Sequence, residues 1–302
     1  MPWFLPLGDP IDTRNHRPYS LIFLRLPGHT RALNPGQKEW SLGVTGANDI
    51  RIGPGLLEDG ETWRWNFRYR EGGKQGDVFV EIPLLVRGGG WMDPWIDGWH
   101  KSVLRAKYAD RENSPMSRIA YRLPNGQNFG SGSGIGDVVV GLTKNLTPRT
   151  AAKVALKLPT GNPTELLGSG SPDFGFSVVH RVPGKKWTAS LEVGLVAQGK
   201  ATRLRGAPAL SEQAILTGIY RPSAREEWIL QWQHEKAPVR TGVNSADQPH
   251  RLLTLGYRIQ CAEGKWLELY FSEDQDIVNG RVPWLARVGP DFTAGLRWIV
   301  RW

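Results

Sequence analysis

Polar and apolar residues alternate with a period of two in window after window of this chain, and that period limits what it can build. In "ETWRWNFRYR" (61–70), Trp63, Trp65, Phe67 and Tyr69 share one parity, against Arg64, Asn66, Arg68 and Arg70. Successive side chains on a strand point to opposite faces, so the window reads as a strand with one greasy and one polar face. "AAKVALKL" (151–158), "WTASLEVGLVA" (187–197) and "LLTLGYRIQC" (252–261) repeat the pattern. The chain ends on "LRWIVRW", with Trp298, Val300 and Trp302 opposite Arg297, Ile299 and Arg301.

Twelve such strands are expected, near 39–50, 61–71, 77–88, 135–146, 149–159, 173–183, 187–198, 212–222, 227–237, 250–261, 265–274 and 291–302. Every second connection is short: "EGGKQ", "TPR", "PGKK", "SARE" and "EGK". The others, 51–60, 89–134, 160–172, 199–211, 238–249 and 275–290, are longer. An even number of antiparallel strands with short turns at one end and long loops at the other is the outer-membrane barrel pattern. A soluble sandwich has no reason to sort its loops by length. The expected fold is therefore an all-β, closed antiparallel transmembrane barrel over residues 38–302, with short periplasmic turns and long extracellular loops. No run of about 18 apolar residues offers a membrane helix. Trp40, Trp63, Trp187, Trp228, Trp266 and Trp302 lie near strand ends, where interfacial girdles belong.

The polar face would line the lumen. It carries Arg64, Arg68, Arg70, Arg87, Lys153, Lys157, Arg181, Arg221, Arg258, Arg297 and Arg301, against Asp77, Glu81, Asp137, Glu192 and Glu268. The formal charge of +9 agrees with this excess. An open path lined this way is expected to favour anions, most clearly at low salt. Nucleic acid is not an expected partner, because the bases are spread through strands rather than gathered on one exposed patch. Membrane lipid and lipopolysaccharide are.

Four blocks, "TRNHRPYSLIFL", "PLLVRGGGWMDPWIDGWH", "GIGDVVVGL" and "LKLPTGNPTELLGSGSPDFGFSV", occur in that order between residues 13 and 180. Together they resemble an outer-membrane family of unknown function, domain-of-unknown-function family 3187. The resemblance implies a barrel in the outer membrane of a Gram-negative bacterium and brings no catalytic residues with it. The closing "LRWIVRW" is similar to the C-terminal signal read by the barrel assembly machinery, another expected partner. "MPWFLPLGDP" is not an intact signal peptide; for an outer-membrane chain the expectation is that a leader has been removed.

The longest loop holds "DPWIDGWHKSV" (93–103), which predicts a short helix with Asp93 as N-cap and Pro94 first. Trp91, Trp95 and Trp99 recur every four residues and form a stripe near Asp97 and His100. The stripe either narrows the mouth of the barrel or packs the loop onto its wall, and aromatics at helical spacing usually pack. "GSGSGIGD" and "GSGSPD" lack the Gly-Lys-Ser/Thr of a phosphate loop. No nucleophile, base and orienting group come together, so no catalytic residues are assigned. No metal or cofactor is expected, and the single cysteine, Cys261, excludes a disulfide framework.

Residues 1–37 are Pro-rich yet contain Trp3, Phe4, Leu5, Leu21, Ile22 and Phe23. A free tail would be more polar. The segment is expected to plug the lumen, to strap the periplasmic opening or to bind a partner. Two function classes follow: a pore or gated channel for small polar or anionic solutes, or an anchoring barrel that binds a protein partner.

Overall fold

The computed structural model describes residues 7–26, 28–99, 101–102, 115–243, 247–273 and 292–302. Twelve strands form the wall. They are β1 (Lys38–Gly53), β2 (Leu56–Gly73), β3 (Gly76–Gly88), β7 (Val138–Asn145), β8 (Thr150–Leu158), β9 (Asp173–Val182), β10 (Trp187–Ala197), β11 (Leu210–Tyr220), β12 (Glu226–Glu235), β13 (His250–Ala262), β14 (Lys265–Glu273) and β15 (Phe292–Arg301). Each pairs antiparallel with its sequence neighbours in the wall. The first and last strands then close the ring, from Glu39↔Arg301 to Asn48↔Phe292. Closure leaves no wall edge unpaired, which hydrocarbon requires. Between β3 and β7 the long loop contributes β4 (Ala120–Arg122), β5 (Asn128–Phe129) and β6 (Gly132–Ile135).

The two faces follow the alternation. Phe67 is 40% exposed and Arg68 only 3%; Leu255 is 58% exposed and Arg258 buried outright. Leu142, Leu191, Leu216 and Leu230 also stand half-exposed on the outer face. At the short-turn end, outward aromatics pair across strands, Trp187 with Tyr220 at 4.5 Å and Trp228 with Tyr257 at 4.8 Å between ring centroids. No helix among the described residues is long and apolar enough to cross a membrane; the strands do the crossing.

Two expectations need correcting. Residues 51–60 are not a loop. β1 and β2 continue past the rim as one hairpin, pairing as far as Gly53↔Leu56. Pro54 and Gly55 make the turn, with Gly55 at φ +70, a conformation glycine adopts without strain. The polar run "LEDGE" hides this extension, because its side chains meet loops rather than lipid. Trp266, in turn, is no girdle residue. It pairs with Ile299 on the inward parity, is 5% exposed, and lies under the Arg301 guanidinium at 5.8 Å. Its place at a strand end, without its parity, suggested the wrong face.

Leu255→Arg puts a charge on the lipid face in the middle of β13. It should destabilise the barrel by about 2–4 kcal/mol, the cost of arginine near a bilayer midplane. Denaturant titration in lipid vesicles measures this, and a cost below about 0.5 kcal/mol would mean that the face is not in hydrocarbon.

Candidate functional site

The N-terminal segment lies among the inward side chains of the wall. Residues 7–17 run from the short-turn end to the long-loop end. A single helical turn, α1 (Pro18–Leu21), reverses the chain, and residues 22–34 return to the short-turn end, where β1 begins. The sequence dictates the reversal: Pro18 sits at the first helical position, where its missing N–H costs nothing. The two limbs hold each other. Thr30 N donates to Asp9 Oδ1 (2.9 Å), Gly28 N to Asp12 Oδ1 (3.2 Å) and Arg25 Nε to Thr13 O (2.8 Å).

Among the described residues this hairpin pairs with no strand, so its buried backbone needs partners from elsewhere. The wall supplies them through side chains. On the ascending limb Gly8 N donates to Glu227 Oε1 (3.0 Å). Gln231 grips Ile11 from both sides, accepting from its N–H (2.9 Å) and donating to its carbonyl (3.0 Å). On the descending limb Leu24 N donates to Asp173 (2.8 Å) and Leu33 N to Asp77 (2.9 Å). Lys157 Nζ donates to Ile22 O (2.9 Å) and Lys153 Nζ to His29 O (3.1 Å).

Glycines on the inner wall make room for the hairpin's apolar side chains. A Cβ on Gly256 would lie 2.6 Å from Ile11 Cδ1, and one on Gly194 2.9 Å from Leu26 Cδ1. At the long-loop end the apex is covered. Tyr19, Ile22 and Phe23 pack with Leu56 of β2, Tyr121 of β4, and Leu123, Leu166, Leu204 and Val239 from the long connections. Arg17 pairs with Glu58, to which Tyr19 also donates.

The basic residues predicted for the lumen do face inward, but they do not present a free positive field. Arg64 and Arg68 bond Glu81 at 2.5 and 3.1 Å. Arg70 bonds Asp77 at 2.5 Å and Glu39 at 3.3 Å. Lys153 bonds Glu192 (2.7 Å) and Lys157 bonds Asp137 (2.6 Å). Arg258 lies 2.5 Å from both Glu227 and Glu268, Arg297 3.1 Å from Glu268, Arg221 2.9 Å from Glu227 and Arg301 2.5 Å from Glu39. Arg87 donates to the carbonyls of Gly130 and Glu165 at the long-loop end. Arg181 approaches the backbone at Gly8. Asp12 of the hairpin pairs with Arg68 and with Arg297. The sequence count missed Glu39, Glu58, Asp173, Glu227 and Glu235, which lie on the same inward parity near strand ends or beyond the windows. They correct the expected excess of positive charge to near balance on the wall.

The tryptophan stripe does not constrict the mouth. The helix α2 (Asp93–Trp99) lies against the outer rim. Trp91 stacks on Trp63 at 6.4 Å and Trp95 meets Phe292 edge-on at 5.7 Å, both partners being outward residues. Asp93 begins the helix and spends its carboxylate on Asn48 Nδ2 (2.9 Å) and Ser117 N (2.7 Å). Asp97 pairs with Lys101. Trp91 and Trp95 therefore pack the loop onto the wall, because the apolar surface they need is outside; the side chain of Trp99 lies outside the described residues. His100 lies outside the described residues, as do residues 274–291 within the expected loop 275–290. Trp298, Val300 and Trp302 keep the outward parity of the closing strand, with Trp298 opposite Leu42 and Val300 opposite Trp40.

Two cavities lined by hairpin and wall residues measure about 10 and 20 Å³, room for roughly one water each. A larger groove of about 730 Å³ lies on the outer wall. It is lined by Trp228, Leu230, Leu255, Leu269 and Phe271 beside the small Gly218 and Ala294, and its place is in the bilayer rather than on a solute path. Among the described residues no His, Cys, Asp and Glu group of three or more is placed to hold a metal.

A family model described as a protein of unknown function, DUF3187, matches residues 9–280, a longer stretch than the four sequence blocks span. The COG4313 outer membrane channel from Pseudomonas putida F1 has a similar structure, with TM-score 0.58 and 14% identity over 92% of this chain and 100% of that one. The NanC porin gives TM-score 0.44 at 8% identity, covering 86% of this chain and 98% of that one. The P. putida toluene transporter TodX gives 0.39 at 9%, covering 95% and 92%. No curated protein matches the chain.

Burial, with Arg64 and Arg14 nearby, holds the imidazole of His16 well below its ordinary range; burial, with Arg70 and Lys153, does the same for His29. Both are neutral in the seated hairpin. A displaced hairpin binds protons at the ordinary histidine pKa of about 6.5, so seating is fully stable above that pH and loses stability as pH falls below it. Limited proteolysis within residues 7–33 should therefore accelerate between pH 7 and pH 5 while the wall stays intact. A cleavage rate that does not change with pH would contradict the seated, neutral histidines.

Proposed function

The chain belongs to the DUF3187 family, and we propose that it is an outer-membrane channel for small polar or anionic solutes, gated by its own N-terminal hairpin, and not an enzyme. One observation carries this reading: the material filling the lumen is a hairpin whose described limbs both reach the short-turn mouth, held to the wall, among the described residues, by side chains. Such an insert can withdraw without unpairing a single strand and without threading the chain. A barrel meant only to be solid has no need of a separable filling.

The closed state dominates at rest. Ile11, Ile22, Leu24 and Leu26 are each at most 2% exposed. Exposing one such side chain costs about 1.5–3 kcal/mol. Spontaneous opening is accordingly rare, and the channel waits on a trigger that favours the withdrawn hairpin. Once it withdraws, water enters a lumen lined by charged and amide side chains, which suits polar solutes. Because carboxylates nearly match bases on the wall, the anion preference of the open path is weaker than the sequence count implies. The short turns face the periplasm in this reading, so the hairpin is accessible to periplasmic factors.

The wall glycines that receive Ile11 and Leu26 favour a second reading, a permanently filled barrel that anchors a partner. Single-channel recording separates the two. The parent should be closed with rare openings. Asp12→Arg, which sets a third cation beside Arg68 and Arg297, should raise the open probability at least about tenfold, since breaking a buried ion pair costs about 3–5 kcal/mol. A folded variant as silent as the parent would remove the gating reading and leave the anchor.

A further inference from the structure

Midway along the lumen the hairpin and the wall bring together more positive than negative charge. Arg14 and Arg25 come from the two limbs and Arg64 from β2. Glu81 faces them, but it is bonded by both Arg64 (2.5 Å) and Arg68 (3.1 Å). Asp12 is shared between Arg68 and Arg297. Glu235 lies 3.3 Å from Arg25 Nη1. Among the described residues no carboxylate is bonded to Arg14. Its Nη2 donates to two neutral carbonyls, those of Ser20 (2.5 Å) and Phe23 (2.8 Å).

Several donors here remain unsatisfied. Arg14 Nε, Arg25 Nη2 and Thr13 Oγ1 are buried without a well-formed hydrogen bond. Buried donors in native proteins have partners, and a buried guanidinium without a counter-charge is costly. Beside them is a cavity lined by Asp12, Thr13, Arg14, Arg25, Arg64 and Glu81, which admits one water-sized species (about 10 Å³).

We propose that this cavity holds a single halide-sized anion, chloride under ordinary conditions, bound by Arg14, Arg25 and Thr13. A water would satisfy one or two donors but would leave the charge excess uncompensated; an anion does both. Asp12 and Glu81 oppose it, yet their oxygens are already committed to Arg64, Arg68 and Arg297. The anion would lock the two limbs to each other and to β2, and the site stands whether or not the barrel conducts.

Bromide replaces chloride and scatters anomalously. Crystals of the full chain grown in sodium bromide should show an anomalous peak in this cavity, within hydrogen-bonding distance of Arg14 and Arg25. Density there without anomalous signal at saturating bromide is a water and overturns the proposal. In solution, Tm should rise with chloride relative to gluconate at equal ionic strength, and Arg25→Gln should abolish the difference. The same Tm in both salts for the parent would also overturn it. The parent crystal decides alone if Arg25→Gln does not fold.

Discussion

A backbone amide out of reach of water needs a partner, and both halves of this structure answer that demand in different ways. In the wall the partner is the next strand, and pairing of β1 with β15 leaves no strand over. In the lumen no strand is available. There the partners are the side chains of Gln231, Gln213, Asp173, Asp77, Lys153 and Lys157, each reaching the backbone of the hairpin. The polar inner face is therefore first a scaffold for a buried backbone.

That role changes how the charges are to be read. A lysine that bonds a carbonyl and a carboxylate at once contributes little field to a passing ion. Lys157 does this with Ile22 O and Asp137, and Arg258 does it with Asp9 O and two glutamates. Removing one member of such a set strands its partners in a site with little water, so the groups hold the hairpin as a unit. Selectivity and gating are coupled for the same reason: the groups that would select among solutes are the ones that keep the lumen shut.

Strand number, order and facing were legible because alternation is strict wherever one face meets lipid. β10 and β13 deviate by no more than a residue from the windows read in the sequence. Legibility failed where the outer surface is not lipid. The β1–β2 extension carries Asp59 and Glu61 on its outer parity, and loop residues cover them, so no greasy face marked it as strand. The spacing of Trp91 and Trp95 left both a constriction and a packing role open, because the sequence could not say on which side of the wall they lie. The balance of lumen charge was misjudged because Glu39, Glu227 and Glu235 sit at strand ends, where parity is hardest to assign. Nor does spacing reveal that Gly194 and Gly256, far from residues 11 and 26 in the chain, are shaped to receive their side chains.

The central claim is that residues 7–33 are folded inside the barrel as part of its structure. Amide hydrogen exchange on the intact protein in lipid tests it most directly. The account predicts that Ile11, Leu24, Leu26 and Leu33, whose amides donate to wall side chains, exchange as slowly as amides of β10 and β13 at neutral pH. Exchange of these amides at the rate of a free, unstructured tail, with the wall still protected, would contradict it.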